Sequence, residues 1–291
     1  MFHGSIVALV TPMQADGRID ETAFLELIEW QIEAKTDGII VNGTTGEAAT
    51  TTPEEKVRLL NLAKTQIRGR VPLIAGTGSP CTRIATAMTA DAKAQGVDAC
   101  LILTPYYNKP TQAGLEAHYG QIASAVDIPI LLYNAPGRTA CDLKPETVRR
   151  LCQAYPNIIG IKESSGDLNR IAEIRDGLNR EIDLLTGEDG SALAFMQQGG
   201  MGVISVTANV APQKMRKLCE AAKHQDWALA KALDDSLRAL HEALFIESNP
   251  IPVKWALHQQ GRIPKGIRLP LTWLPEDKGR VVLLAMQQAN M

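Results

Sequence analysis

The chain has 291 residues, 45% of them hydrophobic, with 30 basic against 32 acidic side chains and a formal net charge of -2. That length allows two average domains or one large α/β barrel, and the apolar fraction is ample for a sizeable core. The near-neutral balance gives no electrostatic footprint for nucleic acid or an anionic membrane surface, so any anion must be met by local groups.

In chain order, short β-branched runs alternate with stretches of helical periodicity. Strands are expected at 5–11, 37–43, 72–76, 98–104, 129–134, 158–162, 183–186 and 202–206. Helices are expected between and after them, at 20–35, 53–68, 82–95, 112–126, 145–155, 168–178, 191–198 and 212–224. Thr52-Pro53-Glu54-Glu55 and Lys144-Pro145-Glu146 carry helix-start signals, with proline and acids in the first turn. Eight such units over residues 1–225 predict an α/β fold, a closed (β/α)₈ TIM barrel with the chemistry at the carboxyl ends of its strands. An open doubly wound sheet is the competing architecture, but its Gly-rich phosphate turn is missing after the first strand. Residues 226–291 read as a helical extension packed on the barrel, with helices at 226–246, 250–260 and 276–290.

The scattered cysteines at 81, 100, 141, 152 and 219 form no C-x-x-C pair, which fits reduced thiols in a cytoplasmic protein. The five histidines show no ligand spacing, so no metal is expected. The segment from Met1 to Pro12 lacks a basic start and a long apolar core, and reads as no signal peptide. No stretch approaches the roughly 20 apolar residues of a membrane span.

The strand ends carry the chemistry. Lys162 closes the apolar run Ile158-Ile159-Gly160-Ile161, where loss of hydration disfavours the charged amine and leaves a nucleophile for a carbonyl. A lysine whose head reaches water along its apolar stem is the alternative. Asn42-Gly43-Thr44-Thr45-Gly46-Glu47 ends the second strand, and its threonine pair can hold a small carboxylate through hydroxyl and backbone donors, or can be a plain turn. Tyrosines 106, 107 and 133 can anchor the barrel rim or pass a proton. Arg138, after Pro136-Gly137, is either a solvated loop cation or a bidentate clamp for a second carboxylate. Together these groups describe a site for a small keto acid.

At these residues the chain resembles the class I, Schiff-base family of pyruvate-dependent lyases that includes dihydrodipicolinate synthases and N-acetylneuraminate lyases. Asn42-Gly43-Thr44-Thr45-Gly46-Glu47, Thr104-Pro105-Tyr106-Tyr107, Tyr133-Asn134-x-Pro136-x-Arg138-Thr139, Gly160-Ile161-Lys162-Glu163 and Gly202-Val203-Ile204-Ser205 follow in family order along the whole chain. Arg138 and Tyr106-Tyr107-Asn108-Lys109-Pro110 are similar to the synthase branch, since sugar-acid lyases usually lack the arginine. The resemblance implies condensation of pyruvate with L-aspartate 4-semialdehyde to 4-hydroxy-tetrahydrodipicolinate, without a cofactor beyond the covalent imine on Lys162.

The resemblance further implies a proton relay of Tyr133, Thr44 and Tyr107, a pyruvate carboxylate held by Thr45, backbone contacts from Gly187 and Ile204, and Arg138 on the second substrate. It implies a homotetramer in which Tyr107 crosses a dimer interface. A sugar-acid aldolase using Ser164, Asp189 and Ser205, or a barrel that binds without turnover, are the rival expectations. In one respect the chain departs from lysine-inhibited members. Ala48, Ala49, Pro53, Lys56, Pro80 and Ile84 stand where polar effector-binding groups are common, and only Tyr106 matches, so weak feedback by lysine is expected.

Overall fold

A computed structural model describes residues 1–290. Strand β1 (Gly4–Ala8) is followed by α1 (Glu21–Glu33), β2 (Gly38–Val41), α2 (Pro53–Ile67), β3 (Leu73–Gly76), α3 (Thr82–Ala94), β4 (Ala99–Leu103) and α4 (Gln112–Ala125). The second half runs β5 (Ile130–Asn134), α5 (Pro136–Thr139), α6 (Pro145–Ala154), β6 (Ile158–Glu163), α7 (Arg170–Arg175), β7 (Asp183–Thr186), α8 (Ala192–Gln197), β8 (Gly202–Ser205) and α9 (Pro212–Lys223). Three further helices follow, α10 (Trp227–Ala243), α11 (Ile251–Gln259) and α12 (Glu276–Gln288). Each strand pairs in parallel with the next, and β8 returns to β1 through Gly4↔Gly202 to Val7↔Ser205. That closure is the expected TIM barrel and excludes the open sheet.

Local chemistry sets the elements. Thr52 caps α2 by accepting from the Glu55 N–H at 3.2 Å, while the Glu55 carboxylate accepts from the Thr52 N–H at 2.9 Å. This reciprocal box satisfies two otherwise orphaned donors. Sequence reading misses α5, because four residues are too few to show a period. It also overextends α7, expected at 168–178, which spans only Arg170–Arg175.

Strand alternation decides what enters the barrel. Val7, Cys100, Ile102, Ile130, Leu132 and Ile161 point outward to the helices, whereas Ile6, Ala8, Leu101, Leu131, Tyr133 and Leu185 fill the interior. Tyr133 therefore points inward two residues beyond Leu131, and Lys162 points inward one residue beyond the outward Ile161. The pair Tyr133↔Lys162 is in register between β5 and β6, so two neighbouring strands bring these side chains together at the carboxyl end. No helix among the described residues is long and apolar enough to cross a membrane.

Candidate active site

A cavity of about 190 Å³ opens at the carboxyl ends of the strands, lined in part by Thr44, Thr45, Tyr133, Arg138, Lys162, Ser164, Gly187, Glu188 and Asn249. Lys162 is only 6% exposed, so its head does not snorkel to bulk water, and its Nζ stands 4.2 Å from the centre of the Tyr133 ring. An amine on the negative face of an aromatic ring, at the barrel mouth, is oriented toward whatever small molecule fills the space. Gly187 is required here by close approach. A Cβ on it would lie 1.9 Å from Ser164 Oγ and 2.5 Å from Lys162 Cε. Gly187→Ala is therefore expected to push the lysine stem aside and lower kcat/KM by about a hundredfold, the usual cost of a misplacement near 1 Å. Steady-state kinetics beside a thermal melt separates that loss from unfolding.

The neighbouring acids are held by their own networks. Glu163, next to the lysine, accepts from Asn134 Nδ2 at 3.1 Å and from the Ser165 N–H at 2.7 Å, with Arg170 Nη1 at 3.5 Å. Burial pushes its carboxyl above the ordinary value, opposed by these donors and by Arg170. Asp189 accepts from Ser205 Oγ and from the Val206 and Thr207 N–H groups at 2.9 and 3.0 Å. It thereby ties the loop after β7 to the end of β8.

The threonine pair is fixed from far along the chain. Asn249 Nδ2 donates to Thr45 Oγ1 at 2.9 Å, which leaves the threonine's own hydroxyl proton free for a ligand oxygen. Glu47, at the other end of the loop, has a left-handed φ of 57° and forms a fully buried ion pair with Lys254 of α11. The Arg268 N–H donates to its second carboxylate oxygen at 3.2 Å. Sequence reasoning misses Asn249 and Lys254, for they lie outside the barrel segment and carry no motif of their own.

Of the expected site residues, the structure gathers Thr44, Thr45, Tyr133, Arg138, Lys162 and Gly187 at one cavity. Ile204 is fully buried in the barrel interior and does not border it, whereas Val206 does. Tyr107 is not brought in either. It is 92% exposed at a left-handed φ of 73°.

A second cavity of about 350 Å³ shares Gly43, Thr44, Leu101, Tyr133 and Arg138 with the first, and is otherwise bounded by residues such as Ala48, Ala49, Lys56, Ile84 and Tyr106. Among the described residues, no carboxylate borders it. Burial lowers the Lys56 amine below its ordinary value, and a lysine effector would place a second amine beside it. Millimolar lysine is therefore expected to leave steady-state turnover essentially unchanged, and strong inhibition would contradict this reading of the cavity.

Residues 1–289 match the model of the dihydrodipicolinate synthetase family. The chain belongs to that family. It is 55% identical over 291 residues to the 4-hydroxy-tetrahydrodipicolinate synthase of Methylococcus capsulatus, covering all of both chains. It is 52% identical to the Pseudomonas aeruginosa enzyme of the same name, covering 100% of this chain and 99% of that one. Among solved structures, the chloride-inhibited dihydrodipicolinate synthase from Acinetobacter baumannii complexed with pyruvate superposes with a TM-score of 0.97 at 47% identity, covering 100% and 99% of the two chains. Family and barrel are thus both as the sequence implies.

Proposed function

We propose that this chain is a lyase that condenses pyruvate with L-aspartate 4-semialdehyde to 4-hydroxy-tetrahydrodipicolinate, on the route to diaminopimelate and lysine. The observation that carries the reading is the buried Lys162 amine over Tyr133, in one small cavity with the hydroxyls of Thr44, Thr45 and Ser164 and one arginine. Its close relatives bear the name of that activity.

Each group then has a task. Lys162 adds to the ketone of pyruvate, water leaves, and the resulting imine is an electron sink that acidifies the methyl group, so no added cofactor is called for. Thr45 donates its free hydroxyl proton to the pyruvate carboxylate, beside the backbone of Gly187. Tyr133 and Thr44 pass protons as the enamine forms. The enamine carbon attacks the aldehyde, Arg138 holds the second substrate by its carboxylate, and the amine of that substrate finally displaces Lys162. Holding both reactants in one cavity supplies much of the rate.

Tyr107 completes the relay from a second copy, within a dimer of dimers. Its exposure, and the opening of the second cavity onto Thr44 and Tyr133, support a ring that enters from a neighbouring subunit. A monomer is then a poor catalyst. The reaction and the five unpaired cysteines fit a cytoplasmic enzyme.

The sugar-acid alternative fares less well. Asp189 and Ser205, two of the groups a polyhydroxylated acceptor needs, are already bonded to each other. The test is direct assay of pyruvate with aspartate semialdehyde in the native protein and in Arg138→Ala. Loss of the charge-assisted contact is expected to raise KM for the semialdehyde by about 10- to 100-fold while the pyruvate imine still forms. Turnover of sugar-derived aldehydes that survives the substitution would favour the aldolase instead.

A further inference from the structure

The acceptor in the proposed reaction carries a carboxylate and an ammonium on one carbon, and only the carboxylate has been given a partner. Glu188, directly after β7, borders the same cavity as Lys162 and Arg138. Its hydrogen bonds are made by its backbone: the N–H donates to Thr186 Oγ1 at 3.1 Å, and the carbonyl accepts from Ser191. Its carboxyl has no hydrogen-bond or ion-pair partner among the described residues. The two adjacent acids are different, since Glu163 and Asp189 are both engaged. Beside it, Ser164 Oγ is buried against Gly187 and has no partner.

We infer that Glu188 anchors the α-ammonium of the acceptor, with Ser164 Oγ as a second hydrogen-bond acceptor, and that Glu188 takes the proton the amine loses on ring closure. This deepens the proposed function and rests on it. Charge balance supports the assignment. Arg138, Lys162 and Glu188 are the only charged residues lining the cavity among the described residues. With both substrates bound, the imine and the arginine carry two positive charges against two substrate carboxylates and Glu188. An acceptor that brings its own ammonium restores neutrality; one without it leaves an excess negative charge in the cavity.

The closing step also balances. The protonated imine holds one N–H and the ammonium three. As the substrate nitrogen bonds to the imine carbon and the bond to Lys162 breaks, one proton passes to Glu188 and two pass to the lysine. The products are a lysine ammonium, a cyclic imine and a protonated Glu188. Burial raises the Glu188 carboxyl above its ordinary value, partly opposed by Lys162 and Arg138, which suits a group that must accept a proton from an amine.

The experiment compares the native enzyme with Glu188→Gln on two acceptors: aspartate semialdehyde as substrate, and succinate semialdehyde, which lacks only the amine, as a competitor of it. The substitution is expected to raise KM for aspartate semialdehyde by about 10- to 100-fold, to leave the inhibition constant of succinate semialdehyde unchanged or lower it, and to leave borohydride trapping of pyruvate intact. Glu188→Asp should recover part of the loss. Equal shifts for both acceptors would overturn the inference in favour of a structural role, and no shift for either would overturn it outright. Native activity on aspartate semialdehyde is measured first. Its absence removes the parent reaction, whereas an active native enzyme with an unaltered variant removes the role of Glu188 alone.

Discussion

Lys254→Met is expected to lower the unfolding free energy by about 3–5 kcal/mol, the usual penalty for stranding one member of a buried ion pair. Both side chains of the Glu47–Lys254 pair are 0% exposed. Burial pulls the Lys254 amine below its ordinary value, while Glu47 holds it up by charge and by hydrogen bonding. Without the ammonium, the Glu47 carboxylate keeps only the Arg268 N–H at 3.2 Å and must take up a proton or swing out toward water. Either response disturbs the loop that carries Thr44 and Thr45, so KM for pyruvate should rise as stability falls. The double variant Glu47→Gln with Lys254→Met removes both charges and should recover much of the loss. Denaturant unfolding of the native protein and the two variants is the measurement, and a single variant as stable as the double one would refute the assignment.

Lys162→Ala should abolish turnover, with kcat down on the order of 10⁴- to 10⁶-fold, because the nucleophile and the electron sink disappear together. Stability should change little, as the buried amine lies over the Tyr133 ring and makes no hydrogen bond or ion pair among the described residues. Tyr133→Phe is the informative companion. It keeps the ring under the amine and removes only the hydroxyl, so the imine should still form while proton transfer slows by about 10²- to 10⁴-fold. Turnover that survives the loss of the lysine amine would remove covalent catalysis from the account.

The barrel and much of the candidate site were legible in the sequence for a physical reason. A parallel sheet buried on both faces writes its strands as continuous apolar runs, and polar residues that close such runs must sit where the barrel opens. Lys162, Tyr133 and the threonine pair all follow from that rule. The supports of the site were not legible. Asn249 and Lys254 reach the loop after β2 across 204 and 207 residues of chain, through tertiary contacts that leave no local pattern. The need for glycine at 187 was also hidden, since it arises from Lys162 on the neighbouring strand and Ser164 just beyond that strand's end rather than from a turn. Glu188 reads as one acid of an ordinary pair in the sequence. Only the hydrogen bonds of Asp189 and the cavity beside Glu188 separate the two.

The most direct test of the covalent reading is borohydride reduction in the presence of pyruvate, followed by peptide mapping. The account predicts one reduced pyruvate adduct per chain, carried by the peptide that contains Lys162, and none in Lys162→Ala. A native enzyme that turns over without any reducible adduct, or an adduct mapped to a different lysine, would contradict it.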